Sequence, residues 1–371
     1  MLIRHARIFT GEGFEAGCVR LRAGAVAETG PSLPPLPGEA VLDLAGDYLL
    51  PGYVDLHIHG SGGFDAMRGE AEVRGMSRFL RRRGVAAFCP TTMSAAPAAT
   101  RQALAGIEAV RQRPEPGGAR VLGAHLEAPF LSPEKAGAQD PAFFAPPDLS
   151  LLDGLAPGAV HSITLAPELP GAEAFVRAAA ARGIHVSLGH SGADAETVHR
   201  AADWGADRAT HLFNASSPLH HRAPGLPGAA LADPRLRVEL ICDGVHLHRD
   251  ILRLAVACKG PRGALAITDA MEAAGLPDGR YSLGGQAVLV SRGEARREDG
   301  TLAGSVLTMA GALAWLIHGA GIDPAVACAM CTLTPAEASG DPLAGRIRLG
   351  SPLPLNRWTP DWRPAGVVDL P

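Results

Sequence analysis

Lysine is almost missing from this chain. Of its 34 basic residues only Lys135 and Lys259 are lysines. Basic blocks are missing too: the 34 basic and 38 acidic residues are spread along 371 positions for a net charge of −4, which leaves nothing to track a phosphate backbone and excludes nucleic acid as a partner. Long apolar runs are absent. The longest, "VLTMAGALAWLI" at 306–317, contains a glycine, and the start "MLIRHARIFT" has no apolar core behind its charges. The chain therefore reads as a cytoplasmic protein with no membrane partner. Cysteine is sparse and scattered, at Cys18, Cys89, Cys242, Cys258, Cys328 and Cys331. The close pair in "CAMC" has no second pair to complete a zinc site, so free and mostly buried thiols are expected. Internal repeats and low-complexity segments are absent beyond an Ala/Pro/Gly bias. With 47% apolar residues, the length suits one large domain plus a small one.

What is present is a change of rhythm near Pro51. Residues 1–50 hold short apolar stretches broken by Gly and Pro, which read as a small β unit. After it come eight strand candidates: "GYVDLHIH", "VAAFCPTTM", "RVLGAHLEAPF", "HSITLAPE", "IHVSLGH", "RATHLFNA", "VELICDG" and "GALAITDA". Between them lie amphipathic helical segments such as "AEAFVRAAAARG" and "AETVHRAADWG", several closed by glycine. Such alternation allows either a doubly wound open sheet or a (β/α)8 TIM-like barrel over 51–340. The polar residues decide between them. His57, His59, Glu127, Glu168, His190, His211, Asp243 and Asp269 all fall at C-terminal strand ends, where a barrel brings them together and an open sheet leaves most in a row. The Pro-rich stretch 341–371 resembles 1–50 in character, so both termini are expected to form one small β-sandwich domain.

In "VDLHIHG", His57 and His59 stand two apart on a strand and so face the same way, able to grip one metal ion. Either alone reads equally well as an ordinary histidine. Glu127, His190 and His211 at the third, fifth and sixth strand ends supply a carboxylate and two imidazoles, the donor set of an open catalytic zinc or iron site. Asp269 can take a proton from an activated water and pass it to a leaving amine, although an aspartate there also suits a helix N-cap. Some binuclear barrel hydrolases bridge two metals with a carboxylated lysine at the fourth strand end. Here that strand reads "SITLAPE" and offers none, so a second ion would need Glu127 as its bridge.

The loop "HLFNASSPLHHRAPG" brings Asn214 and Arg222 beyond the sixth strand, and an arginine near a metal suits a phosphate or carboxylate. On spacing alone it reads rather as an ordinary surface charge. His246 in "CDGVHLH" can polarise a carbonyl or hold a sugar hydroxyl. "HGSGGFD" lacks the lysine and the spacing of a phosphate-cradling loop. His125, His161, Glu168, His185 and His199 read as structural.

Taken together, "PGYVDLHIHG", "HLEAPFLSPEKAGA", "SLGHSGA", "ATHLFNASSPLHHRAPG", "ICDGVHLH", "TDAMEAAG", "DGTLAGSVLTM" and "TPAEASG" resemble the N-acetylglucosamine-6-phosphate deacetylases of the amidohydrolase superfamily, in order and rough spacing over nearly the whole chain. The resemblance implies a metal-dependent barrel enzyme, commonly a homodimer, that hydrolyses the acetamide of N-acetylglucosamine 6-phosphate. It implies that Glu127, His190 and His211 are primary metal ligands, and that Asp269 is the acid/base. Because both His57 and His59 are present, two divalent ions, zinc or iron, are favoured over one. The phosphate would meet Arg222, Asn214 and Ala215. His246, in the segment begun by Asp243, would touch sugar and carbonyl, and Leu302, Ala303 and Gly304 would line the acetyl end.

The chain departs from that pattern after "EKAGA", where Ala138 is followed by Gln139 instead of the family's usual histidine. Ala128 and Ser216 also stand where glycine and methionine are usual. These changes bear on the sugar more than on the reaction. The alternatives are a deacetylase of the galacto epimer, another N-acyl amidohydrolase, or a non-catalytic sugar-phosphate sensor that would have no use for Asp269.

Overall fold

The computed structural model describes residues 1–369; the last two residues of the expected 341–371 segment, Leu370 and Pro371, lie outside the described residues. Eight parallel strands form the large unit: β1 Tyr53–Ile58, β2 Val85–Pro90, β3 Ala124–Leu126, β4 Val160–Leu165, β5 His185–Leu188, β6 Arg208–Ala209, β7 Arg237–Ile241 and β8 Ala264–Ile267. β1 pairs with β2, and β3 through β8 pair in order. Bridges Thr91↔His125 and Ile58↔Ala270 join the two sets into a closed barrel. Every residue of β1 and β2 is buried, as strands covered on both faces require. Each fully buried Leu, Ile or Phe of this core contributes roughly 1.5–3 kcal/mol.

The expected third strand is interrupted. Arg120–Val121 pairs with β2 and Ala124–Leu126 with β4, and the switch occurs at Gly123, whose φ is +138°. A Cβ there would lie 2.8 Å from the Gly158 carbonyl oxygen, so only glycine fits.

Helices follow the strands. Ala195–Trp204 starts at Asp194, whose carboxylate accepts from the Thr197 amide, and stops at Gly205 with φ +118°. The helix begun at Arg249 breaks at Gly260, where φ is +65° and proline follows. Among the described residues no helix is long and apolar enough to cross a membrane. All six cysteines are free; five are buried and Cys258 is exposed.

Both chain ends meet in one seven-stranded sheet. Its order runs Pro364–Val368, Leu355–Trp358, Tyr48–Pro51, Leu2–Phe9, Phe14–Arg22, Ala25–Gly30, with Val41–Asp43 beside Leu2–Phe9. The bridge Ala25↔Pro352 folds the far edge back towards the C-terminal segment over a core that includes Ile3, Val19, Leu49 and Leu355. One element has no counterpart in the sequence reading. Strands Gly279–Leu283, Gln286–Ser291 and Glu294–Arg296 form a meander after β8, with its own small core around Met93 and Met271.

Candidate active site

The C-terminal ends of the barrel strands converge on six buried side chains. His57 and His59 come from the end of β1 and the residue after it, Glu127 follows β3, His190 follows β5, His211 follows β6 and Asp269 follows β8. Three of them leave their strands in the left-handed region: φ is +48° at His190, +27° at His211 and +49° at Asp269. For residues with a Cβ such backbone costs of order 1–3 kcal/mol each and persists only where the surroundings impose it. Here it turns the side chains inward over the barrel.

Two donor sets result. His57, His59 and Asp269 form one, and Glu127, His190 and His211 the other, with ligand atoms inside each set within 4.8 Å of one another. Glu127 belongs geometrically to both. Its Oε1 lies 3.0 Å from His211 Nε2, 3.3 Å from His190 Nε2 and 3.4 Å from His57 Nε2, while Oε2 lies 3.3 Å from His59 Nε2. Asp269 Oδ1 is 3.1 Å from His59 Nε2 and 3.5 Å from His57 Nε2.

The charges ask for a cation. Burial opposes charge on His57 and His59, yet the Asp269 and Glu127 carboxylates lift His59 to about 9 and His57 well above the usual imidazole range. Burial likewise works against ionised carboxylates, but the surrounding histidines hold Asp269 down to about 2 and Glu127 well below its ordinary value. In place of protons, a divalent ion would satisfy the same carboxylates. Among the described residues His57 Nε2 is buried without a hydrogen-bond partner while aimed into the cluster, which fits a ligand atom. All four imidazoles present Nε2, and imidazole with carboxylate is a donor set suited to zinc or iron.

Backbone and side-chain braces orient these groups. His190 Nδ1 donates to the Lys135 carbonyl at 2.8 Å, and His57 Nδ1 donates to Glu239 at 3.2 Å. Glu168 accepts from the Ser191 hydroxyl and the Gly192 amide, fixing the turn beyond His190. Asp55, two residues before His57, accepts from the Thr268 amide and hydroxyl across the β1–β8 seam, and burial pushes its carboxyl up to about 6. His125 bonds to the Thr164 hydroxyl, and burial holds it well below the usual range, hence neutral.

Above the cluster opens a cavity of about 350 Å³, within the range of small-molecule sites. Ala138, Gln139, Asn214, Ala215, His246, Leu302 and Gly304 line it together with His59, Glu127, His190, His211 and Asp269. Four of the residues singled out in the sequence stand elsewhere. His57 lies beneath the floor, Ala303 is packed in the meander core, and Asp243 sits behind His246, accepting its Nδ1 proton at 2.7 Å. Arg222 is exposed and lines a separate depression beside His220 and Glu196.

Sequence reasoning missed several members. Arg296 on the meander lines the cavity, as do Met93, Leu283 and Thr301. Asp55 and Glu239 carried a readable signal: each is an acid inside an otherwise apolar strand, in the same period-2 register as His57 or Asp243. Arg296 carried none, because nothing in its neighbourhood fixes where a loop hairpin folds.

A closed parallel barrel whose C-terminal mouth holds two imidazole–carboxylate sets, one of them completed by an acid from the last strand, defines the class of metal-dependent barrel hydrolases. The chain belongs to the amidohydrolase family, whose model matches residues 48–364. It is 37% identical over 94% of its length, and 92% of the relative's, to the N-acetylgalactosamine-6-phosphate deacetylase of Escherichia coli O157:H7. It is 38% identical to the N-acetylglucosamine-6-phosphate deacetylase of Bacillus subtilis, covering 83% of this chain and 80% of that one. Among solved structures, an aspartate-to-alanine mutant of the Mycobacterium smegmatis N-acetyl-D-glucosamine-6-phosphate deacetylase, in complex with N-acetyl-D-glucosamine-6-phosphate, superposes with a TM-score of 0.91 at 30% identity over 99% and 97% of the two chains.

Proposed function

We propose that this chain hydrolyses the acetamide of N-acetylglucosamine 6-phosphate, releasing acetate and glucosamine 6-phosphate in the cytoplasm as a homodimer. The observation that carries the reading is the pair of donor sets sharing Glu127 on the floor of a sugar-sized cavity. Glu127, His190 and His211 would hold one divalent ion, zinc or iron, and His57, His59 and Asp269 with Glu127 a second. When bound, such ions supply Lewis acidity and an activated water at neutral pH.

The remaining work falls to the protein. Asp269, ionised at neutral pH, takes the proton of the attacking water and delivers it to the amine as the C–N bond breaks. His246 is held by Asp243 through Nδ1, which leaves Nε2 directed at the cavity to bond the carbonyl oxygen or a sugar hydroxyl. Asn214 donates to the His211 and Leu212 carbonyls, which fixes the loop that offers its own backbone and that of Ala215 to the phosphate. Leu302 and Gly304 cover the acetyl end. Within one chain Arg222 faces a different depression; on this reading it would reach a phosphate bound in a neighbouring subunit of the proposed dimer.

A second reading is the galacto epimer, favoured by the Escherichia coli relative that spans 94% of this chain. Acetate release from N-acetylglucosamine 6-phosphate, its galacto epimer and the two unphosphorylated sugars, run side by side on metal-loaded protein, decides between them. Preference for the gluco phosphate is expected. Indifference to the phosphate would overturn the assignment in favour of another N-acyl amidohydrolase.

A further inference from the structure

Strand β7 carries a charge where its neighbours are apolar. Glu239 is 1% exposed between the fully buried Val238 and Leu240, and it does not line the substrate cavity. A carboxylate so placed is costly without a partner. Among the described residues its side chain makes one hydrogen bond, accepting from His57 Nδ1 at 3.2 Å. A carboxylate accepts and does not donate, so the His57 proton sits on Nδ1. That leaves Nε2, on the opposite side of the ring, as the atom a metal would take in exchange for its proton, 3.4 Å from Glu127 Oε1 and 3.5 Å from Asp269 Oδ1.

The geometry points to Glu239 as a positioning residue that loads one metal set and not the other, by fixing the tautomer and rotation of His57 and by raising the basicity of its ring. The inference rests on the reading above that His57 is a ligand. Its partner histidine in the set, His59, has no hydrogen bond at Nδ1 among the described residues, so His57 is the member held from behind. The other set is braced differently. There His190 Nδ1 donates to the Lys135 backbone carbonyl, a neutral acceptor that no side-chain change on β7 removes. Buried partners of this kind typically govern metal affinity by about 10–100-fold.

The test counts ions. Metal-stripped wild-type protein, Glu239→Gln and Glu239→Leu are titrated with zinc against a chromophoric chelator, with bound metal quantified and folding checked by thermal melting. Wild type is expected to take two ions. In Glu239→Gln, which keeps shape but loses charge, the second should bind about 10-fold more weakly, and in Glu239→Leu about 100-fold, while the first binds as in wild type. A purely structural role would weaken both ions together, which overturns the inference, as does wild-type affinity for both ions in either variant. Should the leucine variant fail to fold, the isosteric glutamine variant decides alone. A wild-type chain that takes a single ion would sink the two-metal reading itself and the inference with it, an outcome distinct from the others.

Discussion

On and just beneath the cavity floor six side chains at strand ends are at most 8% exposed and converge on one carboxylate, with His57 and His190 fixed from behind by Glu239, the Lys135 carbonyl and the turn around Glu168. On the rim, Arg222 sits on a loop facing another depression, and Arg296 sits on a hairpin where Glu294 accepts from its Nε at 2.7 Å. The floor is over-determined: each group has several partners whose positions the barrel sets. The rim is under-determined, since its cations have few partners and water on one side. Chemistry is therefore expected to survive changes that alter recognition, and the converse does not hold.

The harshest test of that contrast is Asp269→Asn. Asparagine tolerates the left-handed backbone at this position, with φ +49°, so the fold is expected to persist. Turnover should drop by about 10²–10⁴-fold, the usual contribution of a positioned acid/base, with the Michaelis constant changed only a few-fold. Steady-state kinetics and metal content measured on one preparation check it. Near-normal turnover with unaltered metal would remove Asp269 from the mechanism.

A smaller effect follows from the protons the floor holds. In the metal-free chain His59 is lifted to about 9 and His57 well above the usual range, so at pH 6 to 8 these imidazoles carry protons that an incoming ion must displace. Because the raised groups bind protons in the free state, metal affinity weakens as pH falls and strengthens as pH rises towards about 9. The slope should be about tenfold per pH unit for each proton released. Calorimetry of zinc binding at pH 6, 7 and 8, in two buffers of different ionisation enthalpy, reads that release directly. Affinity independent of both pH and buffer would mean the floor is not protonated as described.

The rim yields a gentler split. Loss of a charge-assisted bond to phosphate costs about 1.5–3 kcal/mol, or roughly 10–150-fold. Arg222→Ala should raise the Michaelis constant by that factor for phosphorylated sugars and leave unphosphorylated ones within a few-fold, and Arg296→Ala should change neither by more than a few-fold. Exchanged effects would move the phosphate to the meander and remove the neighbouring subunit from recognition.

The same contrast governs what the residues disclosed. The eight strands, their burial and their polar ends were legible because strand periodicity and covered faces write a regular pattern into "GYVDLHIH" or "VELICDG". The convergence of His57, His59, Glu127, His190, His211 and Asp269 was legible for the same reason, since a barrel brings strand ends together whatever the loops do. Glu239 was overlooked although its register matches Asp243, because an isolated acid inside a strand has many readings until its partner is seen. Arg296 and the direction of Arg222 were not legible, since loop conformation depends on contacts far apart in the chain.

Gln139 tests whether a rim position can belong to the floor. Its replacement of the family's usual histidine bears, from sequence alone, on sugar choice. In the structure the Ser94 amide donates to Gln139 Oε1 at 2.6 Å, which forces Nε2 towards Glu127 Oε2, also at 2.6 Å. The remaining Nε2 hydrogen lies near Met93 Sδ at 3.6 Å. Every polar atom of the amide is thus engaged by protein, and little is left to read the sugar's C4 hydroxyl. Gln139→His should then lower turnover on the gluco and galacto phosphates alike, by about 10-fold, the lower end for one lost hydrogen bond to a charged group. The ratio of their kcat/KM values should stay within about twofold. A ratio that shifts more than tenfold would return Gln139 to the recognition rim and make it the residue through which the family's sugar preference changes.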